Sequence, residues 1–228
     1  MIVGTRKALA EIQGMVSGYD RILLAGCDTC VAECAAGGKK EVAEMAAALQ
    51  LLFCQAGQSK DIREVSVDRQ CIHEFLLDVV AAAEQADAVV SLACGAGVQA
   101  LASLLPHTPV FPGLNTLFIG ETAQRGLWLE NCRGCGDCVL GDTAGICPVS
   151  RCAKVLSNGP CGGAKEGLCE INISLKLDPP APCAWLQIYD RLKALDQLDR
   201  LMVMRPPKDW SKAHSSGPRR VVRPDQQA

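Results

Sequence analysis

The sequence predicts an α/β protein: an N-terminal Rossmann-like parallel sheet with helices on both faces, then a Cys/Gly-rich cluster- or metal-binding segment and a C-terminal helix. Short apolar runs alternate with helical patterns over residues 1–125, at the spacing typical of βαβ units. Glycine, proline and cysteine dominate residues 126–183, where no regular pattern lasts. Helical periodicity returns over residues 184–204, and a polar, basic tail follows at 205–228.

Each element of the first stretch follows from its own apolar pattern. A helix is predicted where apolar residues recur with helical periodicity, and a buried parallel strand where a short apolar run is continuous. In chain order, the predicted elements are a helix at 6–17, a strand at 21–27, a helix at 39–50, a strand at 64–71, a helix at 73–85, a strand at 87–94, a helix at 95–105 and a short strand at 108–114.

The remaining stretches differ sharply in composition. Residues 126–183 hold too little apolar sequence to fold on hydrophobic burial alone, so this segment needs covalent or metal cross-links. Residues 184–203 repeat apolar side chains along one helical face, beginning at Trp185. The composition of the tail is typical of disorder, and the alternative is a partner-docking arm anchored by Trp210.

The bulk composition excludes several classes of protein. The 228 residues carry 23 Lys plus Arg and 25 Asp plus Glu, so no basic excess indicates nucleic-acid binding. No apolar run reaches the roughly 18 residues that span a bilayer, and the N-terminus lacks a signal-peptide pattern, so we expect a cytoplasmic protein. The 14 cysteines then do not suit a disulfide framework, which is typical of small secreted domains. They indicate metal ligands.

The first set of cysteines lies at the predicted carboxyl edge of the parallel sheet. Because parallel strands end at one edge, we expect Cys27, Cys71 and Cys94 to converge beside Cys30 and Cys34. Four thiolates suit a [4Fe-4S] cluster, whereas four-cysteine zinc sites usually pair two knuckles. We predict that Cys27, Cys30, Cys34 and Cys94 are the ligands, with Cys71 as the substitute for Cys94. The alternative is that Cys71 and Cys94 bind no metal and are small hydrophobic residues buried in the core.

The second set begins in the segment CRGCGDCVLGDTAGICP. Cys132, Cys135 and Cys138 have the spacing of a ferredoxin triplet, and Cys147 precedes a proline after a longer gap than ferredoxins have. Glycines between these cysteines let the backbone turn amide N–H groups toward sulfur. Further candidate ligands are Cys152, Cys161, Cys169 and Cys183. The eight cysteines allow two [4Fe-4S] clusters, or one cluster and a zinc site, so the whole chain is predicted to hold two or three clusters.

Other motifs carry less chemistry. We find no Ser/His/Asp or paired-carboxylate arrangement that predicts a catalytic site, and His73, His107 and His214 have no ligand-like spacing. The turn GAGVQ at 95–99 lacks the rest of a dinucleotide-binding fingerprint. Cys54, at an apolar helix end, is predicted to be a core residue. These residues favour an electron-transfer component over a self-sufficient catalyst.

Over roughly residues 20–200, the chain resembles the methylenetetrahydrofolate reductase C-terminal family in the motifs GCDTCVAECAAGGKKEV, RQC, SLACGAGVQ and CRGCGDCVLGDTAGICPVSRCAKVLSNGPCGG…GLCE…CAWLQIYDRL. Its stand-alone members are the small iron–sulfur subunit of the reductase, of the MetV type, in acetogenic bacteria. The resemblance implies a flavin-containing TIM-barrel large subunit as partner, whose FMN reduces 5,10-methylenetetrahydrofolate to 5-methyltetrahydrofolate in the Wood–Ljungdahl pathway. It also implies an upstream donor module, NADH- or ferredoxin-linked, from which this chain relays electrons. No motif here predicts FMN binding by this chain.

Two other functions remain open from the sequence. In the first, the C-terminal cysteines hold structural zinc, and the chain is a scaffold subunit that clamps the flavoprotein. In the second, the chain is a separate iron–sulfur enzyme whose N-terminal cluster faces a substrate. Zinc without iron would favour the first, and a substrate-dependent cluster spectrum would favour the second.

Overall fold

A computed structural model describes residues 1–213, 217–223 and 225 of the chain. The chain divides into two compact units, Met1–Trp128 and Leu129–Ala228. Within the described residues, none of the helices has both the length and the apolar character that crossing a membrane requires.

The first unit is a mixed α/β structure. A short 3₁₀ turn, His73–Leu76, leads into its fourth helix. The last strand of the series continues into the second unit. In chain order, the elements are β1 (Ile2–Arg6), α1 (Leu9–Val16), β2 (Arg21–Cys27), α2 (Cys30–Glu33), α3 (Lys39–Gln55), β3 (Asp61–Val67), α4 (Leu77–Ala83), β4 (Ala88–Leu92), α5 (Gly95–Leu104), β5 (Val110–Pro112), β6 (Leu114–Gln124) and β7 (Leu127–Cys132).

Four parallel strands form the central sheet, in the order β3-β2-β4-β5. The sequence RILLAGC makes β2 a central strand, because apolar side chains on consecutive residues need cover on both faces. Leu24 and Val90 pack with α1 and α3 on one face, while Leu23 and Val89 pack with α4 and α5 on the other. The predicted parallel sheet with helices on both faces is therefore present.

A second sheet, in the order β1-β6-β7, was not predicted from the sequence. The predicted helix at 6–17 is wrong over its first residues, because the chain enters as β1 and the helix begins only at Leu9. β1 pairs antiparallel with β6, for example Ile2 with Ile119, and these partners are far apart in the sequence. β6 and β7 are joined across Arg125 and Gly126, and Gly126 has φ 83° as a tight hairpin requires.

Two further boundaries differ from the prediction. The strand predicted at 64–71 occupies Asp61–Val67 instead, in register with β2 from Arg21 to Cys27. The helix predicted at 73–85 begins as a 3₁₀ turn and is α-helical only over Leu77–Ala83.

The second unit is built mainly of turns around a small core. Its helices are α6 (Pro148–Arg151), α7 (Ile171–Leu175) and α8 (Ala184–Ala194), followed by 3₁₀ turns at Leu198–Met202 and Trp210–Lys212. Trp185 on α8 is 2% exposed, and its indole N–H donates to the carbonyl of Leu156. The predicted helix at 184–203 ends early, because Asp196 takes a left-handed conformation with φ 54°.

Candidate metal centres

The carboxyl ends of the two central strands bring Cys27 and Cys94 together. Cys27 ends β2 and is 7% exposed, and Cys94 is the N-cap residue of α5, just after β4. Burial raises the pKa of the Cys27 thiol, and the nearby Cys94 thiol raises this pKa further. Backbone amides of Gln70 and Thr29 act in the opposite direction, because N–H groups that donate to sulfur favour the thiolate. The role of both cysteines as ligands remains a prediction.

Gln70 positions this pair and was missed by sequence reasoning. Its side chain is fully buried, and its Nε2 donates to the carbonyls of Ala25 and Gly26, both at 2.9 Å. Its Oε1 accepts from the Ser91 hydroxyl at 2.6 Å. One amide therefore ties the end of β2 to β4 and holds the Gln70 backbone beside Cys27. A glutamine between a strand and a cysteine was the only signal for this role in the sequence.

Cys30 and Cys34 flank the short helix α2. Cys34 is 8% exposed, and its thiol lies 3.3 Å from the carbonyl of Cys30 and 3.8 Å from the carbonyl of Ile2. Burial raises the pKa of Cys34, while the backbone amide of Gly4 lowers it. The thiol of Cys34 therefore faces β1, and Cys27 and Cys34 belong to one buried cluster, against which Cys94 packs.

Two cysteines of the first unit lie where the sequence did not place them. Because β3 ends at Val67, Cys71 lies in the turn beyond it and is exposed, so it does not end a strand. Cys54 is also exposed, so the prediction of a core residue is wrong. His73 and His107 are exposed as well, and His214 lies outside the described residues.

The first cysteine of the ferredoxin-like triplet ends β7, and the other two lie in the irregular loop that follows. The Gly134 amide donates to the sulfur of Cys132 at 3.4 Å, and the Cys135 thiol lies 3.6 Å from the carbonyl of Asp137. Gly134 and Gly136 have φ 59° and 80°, a left-handed conformation that glycine adopts without strain. Glycine thus allows the tight wrapping that the sequence predicts. Cys138 is exposed, and Cys147 caps α6 directly before its first-turn proline.

Four cysteines line a single cavity of about 140 Å³ in the second unit. They come from separate turns and from the start of α8, where Cys183 is 7% exposed: Cys152, Cys161, Cys169 and Cys183. Lys154 and Glu170 also line this cavity and form an ion pair. The hydrogen bond to Glu170 raises the pKa of Lys154, and nearby Cys161 and Cys152 raise it further. We refer to this site as the four-cysteine cavity.

The donor chemistry of the four-cysteine cavity fits an iron–sulfur cluster or zinc. Either group takes four thiolates, and both occur in sites closed to solvent. Among the described residues, no three His, Cys, Asp or Glu side chains are already arranged to hold a metal ion.

Comparison with known proteins links the same part of the chain to a reductase. Residues 111–211 match the family model described as methylene-tetrahydrofolate reductase C terminal. The matched residues contain all eight C-terminal cysteines and none of the first set. No curated protein and no solved structure matches the chain. The resemblance expected from the sequence is thus supported over residues 111–211, and for the preceding residues it stays a prediction.

Proposed function

We propose that this chain is the iron–sulfur electron-transfer subunit of a methylenetetrahydrofolate reductase complex, of the MetV type. It would pass electrons to the FMN of a TIM-barrel partner that reduces 5,10-methylenetetrahydrofolate to 5-methyltetrahydrofolate. The observation that carries the proposal is the four-cysteine cavity, which lies inside the segment matched to the reductase family. An electron-donor module, NADH- or ferredoxin-linked, is part of the same proposal.

The cavity also suggests how the eight C-terminal cysteines divide. One centre would take the four that line the cavity, and the other would take the triplet with Cys147 as its fourth ligand. A bound cluster would supply one-electron transfer, while the flavin of the partner would collect two electrons for folate reduction. The chain itself contributes sulfur ligands, amide N–H groups aimed at sulfur, and the apolar wall of Trp185 that limits water at the cavity.

An N-terminal centre at Cys27, Cys30, Cys34 and Cys94 is the third part of the proposal. The strand order β3-β2-β4-β5 follows the doubly wound pattern, which supports a Rossmann-like interpretation of this unit. In that pattern, ligands bind outside the carboxyl ends of the strands, where the order reverses. Here the reversal falls between β2 and β4, and Cys27 and Cys94 follow these two strands.

The test is metal analysis of the full chain, purified without oxygen. We expect iron in the wild type, a loss of about four iron atoms per chain in Cys161→Ala, and a similar loss in Cys135→Ala. The matched control is Cys54→Ala, because Cys54 is exposed and belongs to none of the proposed centres. A wild-type chain without iron would refute the electron-transfer function.

A structural zinc role is the second candidate, because four thiols around one cavity also suit zinc. The same measurement separates the two functions. Stoichiometric zinc that is lost only in Cys161→Ala would assign the cavity to zinc and leave the triplet as the site of electron transfer.

A further inference from the structure

Cationic side chains in the described part of the tail contact the loop that carries the ferredoxin-like triplet. We define the basic strap as residues 205–213 and 217–219. Lys208 donates to the carbonyl of Asp137 at 2.6 Å, and Arg219 donates to the carbonyl of Gly134 at 3.0 Å. Lys212 lies 3.7 Å from the carboxylate of Asp137. These described residues of the tail therefore make hydrogen bonds and an ion pair with the triplet loop.

The strap also approaches the triplet through its backbone. A Cβ atom added to Gly136 would overlap the carbonyl oxygen of Lys212 and lie 2.9 Å from Nη1 of Arg219. Only a residue without a side chain permits this approach. At the start of the strap, the Arg205 side chain donates to the carbonyl of Asp142 at 3.1 Å. The backbone amide of Arg205 donates to the side chain of Asn158, whose own amide donates to the Arg205 carbonyl.

Two cations of the strap face inward, while Lys212 and Arg219 are exposed. The side chain of Lys208 is 8% exposed and that of Arg205 is 14% exposed, although both residue types usually extend their charge into water. Burying an ammonium group is costly unless anions lie nearby, and the Asp137 carboxylate lies 3.9 Å from Lys208. Asp209 is a second carboxylate near Lys208: its hydrogen bond with Ser211 lowers its pKa, and Lys212 and Lys208 lower this pKa further. Lys208 is bonded to the carbonyl of Asp137, which lies in the sequence between the triplet residues Cys135 and Cys138.

We propose that the basic strap fixes the triplet loop and neutralises the negative charge of the thiolate-bound group held there, with Lys208 as the main positioning residue. This inference rests on the proposed function, since it concerns the same centre. A centre ligated by thiolates carries net negative charge, and a nearby cation favours its reduced state. The strap therefore raises the reduction potential of this centre and protects its cysteines.

The test uses full-length Lys208→Gln, with Arg220→Gln as the matched control. Arg220 is exposed in the same tail, and within the described residues the structure gives it no hydrogen bond or ion pair. The first measurement is a redox titration followed by paramagnetic resonance. We expect a more negative midpoint potential in Lys208→Gln, wild-type behaviour in Arg220→Gln, and recovery in Lys208→Arg.

The second measurement is thiol alkylation of the metal-free chain, which does not depend on any cluster. Losing the charged hydrogen bond to Asp137 should speed alkylation of Cys135 and Cys138 by about tenfold. Lys212→Gln, at a half-exposed side chain, gives a smaller increase and serves if Lys208→Gln fails to fold. A wild-type chain without iron would refute the proposed function but leave this measurement valid. If Lys208→Gln and Lys212→Gln are alkylated at the rate of Arg220→Gln, the strap does not hold the loop, and the inference fails.

Discussion

Replacing Gln70 by leucine tests the buried amide that joins the ends of β2 and β4. The substitution keeps a similar volume but removes three hydrogen bonds, two to the carbonyls of Ala25 and Gly26 and one from Ser91. At about 1 kcal/mol for each bond, we expect the free energy of unfolding to fall by about 3 kcal/mol. The Ser91 hydroxyl, which is fully buried, would also lose its acceptor, so we expect the loss of stability to be no smaller than this figure.

Urea denaturation of the metal-free chain measures this loss. Gln58→Leu is the matched control, because Gln58 is exposed and surface substitutions seldom change stability by more than about 0.5 kcal/mol. Equal midpoints for the two variants would contradict the role assigned to Gln70.

Two other predictions concern the two units separately. Gly136→Ala should lower the free energy of unfolding of the second unit by about 1–2 kcal/mol and expose the triplet to alkylation. The reason is that alanine is strained at φ 80° and its Cβ meets the Lys212 carbonyl. Gly141→Ala is the control, because its added Cβ meets nothing within 4 Å. The hydrogen bond from Arg21 lowers the pKa of Asp87 to about 2, so the pair stabilises the first unit above the ordinary aspartate pKa and this contribution is lost as the pH falls toward 2. Asp87→Asn should therefore flatten the acid-unfolding curve between about pH 4 and pH 2, and an unchanged curve would contradict this linkage.

Strong local patterns made the parallel sheet predictable. β2 was placed residue for residue at Arg21–Cys27, because a continuous apolar run beside helical patterns has few alternatives. The start of α3 at Lys39 was also correct. The sheet containing β1, β6 and β7 had no comparable signal. Its strands leave Leu117 and Ile119 largely exposed, and its pairing joins Ile2 to Ile119, so the stabilising contacts lie outside any local window.

The cysteines show the same contrast between spacing and position. Cys30 and Cys34 are one helical turn apart and adjacent to Cys27 in the sequence, yet the thiol of Cys34 faces the carbonyl of Ile2. Sequence spacing identified the candidate ligands, but it could not show that β1 lies beside Cys34 and that this thiol faces it. Cys71 was displaced for a simpler reason, since the register of β3 with β2 ends at Val67.

The four-cysteine cavity shows what irregular spacing leaves undetermined, because the sequence named its cysteines as candidates but could not group them. They have no motif in common, and they line one cavity in a unit where α8 packs its buried face, including Trp185 and Ile188, into the core. The triplet is local and needs the basic strap to hold its loop, whereas the cavity is non-local and is held by the core of the unit. Loss of the strap should therefore affect the triplet alone, and loss of core packing around Trp185 should release the cavity cysteines first. Different dependence of the two sites on the tail would distinguish two separate centres from a single shared one.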